Sequence, residues 1–365
     1  MLVDDSLQGL SSDIFAIGSA WHYNGVVFVL PLAIQAPVSI LPSDKRLVYV
    51  GRFDRRDPKA AACQWSASEV RLVVDGPKLT ATIEEKGDDY WQPLVDGQPK
   101  TPITLKPGLD TYTVDLGGPG RHEVRLVKRT EPFVGTTTIR GFGTPGGKLL
   151  AAKPKKRHLE FVGDSITCGY GNEGANQNGH FAPATENATQ SYASIAGRMV
   201  DADVTLIAWS GRKMWPDNTT PEIYDRILPT QPEPLYDFKG PAPDMVVINL
   251  ATNDFGQENP EEKGWTGAYE TFIRRVWSHY PKAHVVVALG GMMSDDYPQG
   301  HRALSTLRGY LTRLVGRMRD PRLHLVEFDQ QRLEDGLGAD WHPSVKTDGK
   351  MAARLVETLK RDVYR

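Results

Sequence analysis

The chain has 365 residues, a length that predicts two domains at about 150 residues per domain. Apolar residues make up 40% and charged residues 24% of it, a balance that excludes a chain disordered throughout. The net charge of −2 provides no positive field for a nucleic-acid backbone, so no nucleic-acid partner is expected. Two cysteines, Cys63 and Cys168, are too few for a disulfide framework or a multi-cysteine zinc site, although they could pair with each other.

Residues 1–40 are set apart as an N-terminal segment, a possible degenerate signal sequence. The apolar run GVVFVLPLAI at 25–34 is similar to the apolar part of a signal peptide and too short for a transmembrane helix, so no membrane partner is expected. No Lys or Arg precedes it, because the first is Lys45. A degraded signal, a misassigned start codon and a plain surface segment are the alternatives.

Residues 41–150 have the pattern of an all-β domain. Short runs rich in Val, Thr and Ile alternate with polar residues, and Gly, Pro and Asp separate them. The runs are RLVYVGRF (46–53), EVRLVV (69–74), LTATIEE (79–85), TYTVDL (111–116), HEVRLVKRT (122–130) and TTIRGF (137–142). This spacing predicts a β-sandwich or jelly roll.

Residues 151–365 have a different pattern, that of an α/β domain. Strands buried on both faces are predicted at 159–163, 204–209, 245–250, 284–290 and 323–328, and helices at 190–200, 266–280, 301–319 and 346–362. Alternating strands and helices predict a parallel sheet with helices on both faces. The basic run AAKPKKRH (151–158) is interpreted as a solvated connector.

Polar turns follow several of these strands, and parallel strands bring their carboxyl ends to one edge of the sheet. The turns contain Asp164-Ser165, Ser210-Gly211, Asn253-Asp254 and Asp340-Trp341-His342. Ser165 is the candidate nucleophile, and the alternative is that Asp164 or Ser165 only caps the next helix. His342 is the candidate base, and Asp340 or a backbone carbonyl would orient its imidazole.

Gly211 and Asn253 are candidates for an oxyanion hole. A glycine lets a backbone N–H approach closely, and an asparagine amide is a fixed neutral donor. A turn glycine and an Asx turn are the alternatives. Asp254 is expected to hold its loop by accepting backbone N–H bonds. No metal and no cofactor is expected, since no His, Cys and carboxylate cluster has ligand spacing.

The order of these motifs resembles that of the SGNH, or GDSL-like, hydrolase superfamily. The four blocks are GDSI (Ser165), SG (Gly211), TND (Asn253) and DWHP (His342). The first block extends to EFVGDSITCGYGNEG (160–174), and the β region contains YVGRFDRRD (49–57), WSASEV (65–70) and VKRTEPFVG (127–135). From about residue 48 onwards the chain is similar to carbohydrate esterase family 2, a jelly roll followed by an SGNH domain.

The resemblance implies a serine esterase, an acetyl xylan esterase-like deacetylase, that removes acetyl groups from acetylated plant polysaccharides such as xylan or glucomannan. It assigns Ser165 as nucleophile, His342 as base and the amides of Ser165, Gly211 and Asn253 as oxyanion hole. It also implies a secreted or periplasmic protein. Ala251 stands where the family usually has glycine, and Lys213 where a small residue is usual.

Aromatic residues beside these motifs are candidates for a sugar platform, because apolar sugar faces stack on aromatic rings. They are Trp215, Trp341 and Phe255, with core packing as the alternative for each. Cys168 is expected to pack in the core. The run Lys128-Arg129-Thr130-Glu131 is expected to form a domain-interface salt bridge or a solvated strand end.

Two other functions are considered. A general SGNH lipase or thioesterase would need an apolar groove, against which the polar loop at 171–190 argues. A non-catalytic carbohydrate-binding protein would have no use for Ser165, Asn253 and His342 together.

Overall fold

A computed structural model of the protein describes residues 40–364 and two short strands before them, β1 (Ala20–Tyr23) and β2 (Val26–Val29). These two strands pair antiparallel with each other. The other residues of 1–39 lie outside the described residues, so the three alternatives for 1–40, a degraded signal among them, stay open as predictions. None of the described helices has both the length and the apolar composition needed to cross a membrane.

The region from residue 40 to 150 contains antiparallel strands only. In chain order they are β3 (Val48–Val50), β4 (Ala61–Cys63), β5 (Glu69–Asp75), β6 (Lys78–Glu85), β7 (Tyr90–Val95), β8 (Gln98–Pro99), β9 (Ile103–Thr104), β10 (Gly108–Asp115), β11 (Arg121–Lys128), β12 (Thr137–Gly143) and β13 (Lys148–Leu150). One sheet has the order β10-β6-β12-β4. The other has the order β13-β5-β11-β7-β8, with β3 on β5 and β9 on β7.

The two sheets share one apolar core, which follows from the alternation in their strands. Leu79, Ala81 and Ile83 of β6 point into it from one sheet, and Leu72 and Leu126 of β5 and β11 from the other. All five side chains are at most 2% exposed. The expected all-β fold is therefore confirmed, and two sheets packed on a common core match the architecture of a sandwich.

The rest of the chain forms the α/β region. Its strands are β14 (Arg157–Gly163), β15 (Ala202–Ala208), β16 (Met245–Asn249), β17 (His284–Leu289) and β18 (Leu323–Glu327). Its helices are α1 (Ser165–Cys168), α2 (Tyr192–Met199), α3 (Thr220–Ile223), α4 (Glu262–His279), α5 (Ala303–Met318) and α6 (Val345–Asp362), with 3₁₀ turns at Pro183–Thr185, Ala188–Gln190, Leu333–Asp335 and Ala339–Trp341.

The five strands form the parallel sheet that the sequence predicts, and the structure gives its order as β15-β14-β16-β17-β18. Alternate residues of β16 face opposite layers: Val246 and Ile248 pack with α4 and α5, whereas Met245 and Val247 pack with α2 and α6. The predicted apolar stripe of α4 is confirmed, since Tyr269, Phe272, Ile273 and Val276 are buried. Strand order reverses between β14 and β16, and such a switch point is where open α/β sheets bind ligands.

The β region packs directly on the α/β region. Trp65 belongs to the same apolar cluster as α4 and α5, and Ala67, Leu94 and Val127 belong to the cluster on the opposite face of the parallel sheet. The basic connector is mostly exposed, in agreement with its interpretation as a solvated segment. The domain boundary at residues 150/151 stays a prediction.

Candidate active site

Ser165 lies at the carboxyl end of β14, at the switch point of the sheet. Asp164 caps the short helix α1 by accepting the Ile166 N–H at 3.1 Å, and Ser165 is its first residue. A side chain on Gly163 would meet Thr167 Oγ1 at 2.0 Å, so glycine is needed for the strand to turn closely into the helix. Asp164 is fully buried, and the loss of solvation raises its pKa to about 7. The cap and the candidate nucleophile are thus two neighbouring residues with separate tasks.

His342 lies against Ser165 although 176 residues separate them in the chain. Its Nε2 is 2.8 Å from Ser165 Oγ. Its Nδ1 is 3.1 Å from the carbonyl oxygens of both Ala339 and Asp340. Carbonyl oxygens only accept, so Nδ1 carries the proton and Nε2 is the free acceptor for the serine hydroxyl. Burial lowers the pKa of His342, which keeps its imidazole neutral and able to take a proton.

The side chain of Asp340 does not reach His342. Asp340 and Trp341 both adopt left-handed backbone conformations, with φ of 49° and 65°, which direct the Asp340 carbonyl towards the imidazole and its carboxylate away. That carboxylate accepts hydrogen bonds from Tyr170 Oη at 2.8 Å, His180 Nδ1 at 2.9 Å and the Phe181 N–H at 3.1 Å. The prediction that the Asp340 side chain completes a triad is therefore wrong, and the alternative, a backbone carbonyl, is what the structure shows.

Gly211 follows β15 and is exposed. Its φ of 75° lies in the left-handed region, which favours glycine. A side chain at this position would meet nothing within 4 Å, so the backbone conformation selects glycine here and lack of space does not. The preceding residue, Ser210, is held by Glu131 of the β region, whose Oε2 accepts the Ser210 N–H at 2.7 Å. The amide of Gly211 thus belongs to a loop that is anchored through Ser210, and the space beside the Gly211 Cα is open.

Asn253 and Asp254 tie the loop after β16 to the loop after β15. Asn253 donates from Nδ2 to the Arg212 carbonyl at 2.9 Å, which uses one of its two N–H groups. Asp254 accepts the N–H groups of Met214 and Trp215 and the indole N–H of Trp265. Its expected role as an acceptor of backbone N–H bonds is confirmed, although the loop that it holds is that of Gly211. Burial raises the pKa of Asp254 to about 6.

Of the three aromatic candidates, the structure leaves two with a free surface. Trp341 is 55% exposed and adjoins His342. Trp215 is half-buried and packs against the α4 and α5 core, with its ring over Gly264. Phe255 is only 1% exposed and packs on Trp265 and Tyr310. The prediction that Phe255 binds substrate is wrong, because it has no surface to offer a sugar.

Comparison with known proteins shows the family of this chain. Residues 49–154 match the family model described as Carbohydrate esterase 2 N-terminal, and residues 161–347 match that of the GDSL-like Lipase/Acylhydrolase family. A solved family two carbohydrate esterase from Clostridium thermocellum, in complex with cellohexaose, is 38% identical with a TM-score of 0.80, covering 86% of this chain and 98% of that one. The chain belongs to carbohydrate esterase family 2.

Two curated relatives agree with this family. Cellulase/esterase CelE of Acetivibrio thermocellus is 39% identical over 86% of this chain, which spans 39% of that protein's length. An acetylxylan esterase / glucomannan deacetylase of Cellvibrio japonicus is 28% identical, covering 83% of this chain and 86% of that protein. Because residues 161–347 match the GDSL-like Lipase/Acylhydrolase family and the chain belongs to family 2, the α/β region is a carboxylic ester hydrolase by class. The match to family 2 structures also confirms the expected fold.

Two residues that support the arrangement of Ser165 and His342 were missed in the sequence analysis. Tyr170 places its ring 4.2 Å from the imidazole of His342, at 31° to it, while its hydroxyl binds Asp340. Gly171, at φ 52°, lies so close to the loop before His342 that a side chain would come within 2.6 Å of Ala339 Cβ. The signal was the run CGYGNEG, whose glycines mark a close approach of two backbones.

The remaining predictions concern the cysteines and the run 128–131. Cys63 and Cys168 are both buried and free. Cys168, the last residue of α1, is buried as expected. Lys128 forms a fully buried ion pair with Asp89 at 2.6 Å, and Arg129 pairs with Glu173 of the α/β region. The expected interface ion pair is thus confirmed for Arg129.

Proposed function

We propose that this chain is a serine esterase that removes O-acetyl groups from acetylated plant polysaccharides of the xylan or glucomannan class and releases acetate. The observation that carries the proposal is the 2.8 Å contact between Ser165 Oγ and His342 Nε2, with Nδ1 fixed by two carbonyls. The substrate class is supported by the curated deacetylase relative.

The proposed reaction has two halves. In the first, His342 Nε2 takes the Ser165 proton, Oγ attacks the acetyl carbonyl, and the imidazolium then gives its proton to the leaving sugar oxygen. In the second, His342 activates water, which attacks the acetyl-serine ester, and the proton returns to Ser165 as acetate leaves. The negative oxygen of each tetrahedral intermediate would accept hydrogen bonds from the amides of Ser165 and Gly211 and from Asn253 Nδ2. Chemistry of this kind uses no cofactor.

Partners and location follow from this substrate. The partner proposed is an acetylated polysaccharide or oligosaccharide, with neither nucleic acid nor membrane as a partner. Because plant polysaccharides do not enter cells intact, a secreted or periplasmic location is proposed.

The experiment that tests the substrate class is acetate release from a panel of esters. Acetylated xylan and acetylated glucomannan are compared with acetyl and octanoyl aryl esters. We expect acetate from both polymers, and acetyl esters to react faster than octanoyl esters. Faster cleavage of the octanoyl ester would support a lipase instead, and polymer binding without acetate release would support a carbohydrate-binding protein.

The pH profile of the reaction is expected to reflect His342. Burial lowers its pKa below the usual 6.5, and only the neutral imidazole accepts the serine proton. Activity should therefore persist into mild acid and fall as the pH drops through that lowered pKa. The measurement is kcat/KM for an aryl acetate against pH, with the folded fraction followed by circular dichroism. An acidic limb centred above 6.5 would contradict this account.

Trp341 is expected to contribute more to polymer binding than to chemistry. Its exposed ring beside His342 would stack on a sugar, so Trp341→Ala should raise KM for acetylated xylan by about fivefold to tenfold, since about 1 kcal/mol of stacking is lost. KM for a small aryl acetate should change less than twofold. The same comparison for Trp215→Ala tests the half-buried ring. Equal effects on polymer and aryl ester would identify a packing defect for either residue.

A further inference from the structure

A carboxylate of the β region, that of Glu131, accepts two hydrogen bonds from Ser210, the residue directly before the candidate oxyanion-hole residue Gly211. Glu131 follows β11, and its Oε2 accepts the backbone N–H of Ser210 at 2.7 Å. Its other oxygen, Oε1, accepts the Ser210 hydroxyl. Both oxygens of one carboxylate are therefore used on one residue, across the interface between the two regions.

These two hydrogen bonds restrict the orientation of the peptide group that carries the Gly211 N–H. That peptide plane is set by the rotation about the Ser210 Cα–C bond, and Ser210 is held at its amide and at its side chain. On the far side, the Gly211 carbonyl accepts from Asn218 Nδ2 at 3.1 Å, and the Arg212 N–H donates to the Trp209 carbonyl at 3.3 Å. The N–H of Gly211 is thus fixed from both directions, as a preorganised oxyanion donor must be.

Glu131 is itself firmly supported, although burying a carboxylate is costly. Its own N–H donates to Glu186 Oε2 at 3.1 Å, and Lys128 Nζ contacts its carbonyl at 3.4 Å while bonding Asp89. Glu131 and Glu186 are fully buried. Burial raises the pKa of Glu131, and burial together with the charge of Glu131 raises that of Glu186 well above its usual range. The two hydrogen bonds from Ser210 act against the rise in the pKa of Glu131, because they favour its charged form.

Cys168 completes the surroundings of this pair. Cys168 Sγ and carboxylate oxygens of Glu131 and Glu186 all lie within 4.8 Å of one another, and all three residues are buried. Because both oxygens of Glu131 already accept from Ser210, we interpret the cluster as the support of the loop. The cost of burying Glu131 is thus offset where the β region contacts the loop of Gly211.

We propose that Glu131 is a positioning residue for the esterase reaction: through Ser210 it orients the Gly211 amide towards the negative oxygen of the intermediate. The β region is then a part of the catalytic site as well as a neighbour of it. This inference rests on the proposed serine esterase function. It predicts that loss of Glu131 lowers the stabilisation of the transition state while ground-state binding of a small ester is left intact.

The test compares Glu131→Ala, Glu131→Gln and Ser210→Ala with a matched interface control, Gln64→Ala. Gln64 is also buried and hydrogen-bonds Thr230 across the two regions at 2.7 Å, away from the Gly211 loop. For each variant, kcat and KM for an aryl acetate are measured together with the inhibition constant of a small alkylboronic acid. The boronic acid forms a tetrahedral adduct on the serine and so reports transition-state complementarity.

Glu131→Ala should lower kcat about 100-fold, the loss typical of one oxyanion donor, with KM within threefold of the parent. The inhibition constant of the boronic acid should rise by the same factor as kcat/KM falls. Glu131→Gln, which keeps one acceptor, should recover about tenfold of the loss, and Ser210→Ala, which removes one hydrogen bond, should lose about tenfold. Gln64→Ala should keep both kcat and boronate inhibition within threefold.

Three results would overturn the inference: unchanged kcat in Glu131→Ala, a loss that appears in KM with boronate inhibition unchanged, or an equal loss in Gln64→Ala. If Glu131→Ala does not fold, Ser210→Ala decides, since it leaves the buried carboxylates in place. In each of these cases Ser165→Ala would still be inactive. Full activity in Ser165→Ala would instead refute the esterase mechanism itself, so the two failures are distinguishable.

Discussion

Replacing Ser165 with Ala is expected to lower turnover of acetylated xylan and of aryl acetates by about 10⁴-fold or more, as in other enzymes that lose a serine nucleophile. The reason is local: Ser165 Oγ lies 2.8 Å from His342 Nε2, within reach of the proposed base. Alanine keeps the backbone of α1, so the amide and the Asp164 cap should persist. The measurement is acetate release at saturating substrate.

The matched control is Ser278→Ala, an exposed serine on α4 whose hydroxyl bonds only the Arg275 carbonyl within the described part of the chain. It should keep parental activity and thermal stability. Retained turnover in Ser165→Ala would show that another group attacks the ester, and it would refute the assignment of Ser165.

Replacing His342 with Asn should cost about 10⁴-fold in kcat, whereas Asp340→Asn should cost less than about tenfold. In a Ser-His-Asp triad, both changes would be severe. Here the imidazole Nδ1 is held by the carbonyls of Ala339 and Asp340, which Asn at position 340 retains. Its amide oxygen can still accept from Tyr170 or the Phe181 N–H.

Kinetics with an aryl acetate near neutral pH would measure both changes, with circular dichroism to confirm folding. An Asp340→Asn loss close to that of His342→Asn would mean that the carboxylate acts on the imidazole after all, through a rearranged loop. Activity of His342→Asn near that of the parent would remove the base from the mechanism.

The α/β architecture and the position of Ser165, Gly211 and Asn253 at one edge of the sheet could be predicted because they depend on local patterns. His342 lies beyond β18, which does not adjoin β14, and its approach to Ser165 was expected from the order of the motifs. Apolar runs define the five strands, and parallel strands necessarily deliver the turns that follow them to one edge. The turn of Ser165 and the turns of Gly211 and Asn253 leave β14, β15 and β16, three neighbours in the sheet. Periodicity alone therefore brings these motifs together.

The orientation of Asp340 could not be predicted in the same way. The spacing of two residues between Asp340 and His342 fits either a side-chain or a backbone contact. The left-handed conformations of Asp340 and Trp341 decide between them, and these depend on the approach of Gly171 and Gly174 to the Ala339 backbone. That is a contact between segments far apart in sequence.

Phe255 and Glu131 show two further limits of what can be predicted from the sequence. Phe255 stands two residues after Asn253, and a phenylalanine next to a motif carries no sign of whether it faces the core or the substrate. Glu131 lies in a different region from Ser210, and the two residues meet because the two regions pack together. Packing between regions leaves no periodic pattern in the sequence from which the contact could be predicted. Its position in the run 128–131 predicted an interface contact but not the loop that it reaches.

The measurement that tests the central claim most directly is the site of covalent labelling by an alkyl fluorophosphonate, which reacts with activated serines. Peptide mass mapping of the labelled protein should place a single adduct on Ser165, and labelling should slow strongly in His342→Asn. An adduct on a different residue, or a fully active protein that acquires none, would contradict the pairing of Ser165 with His342 as nucleophile and base.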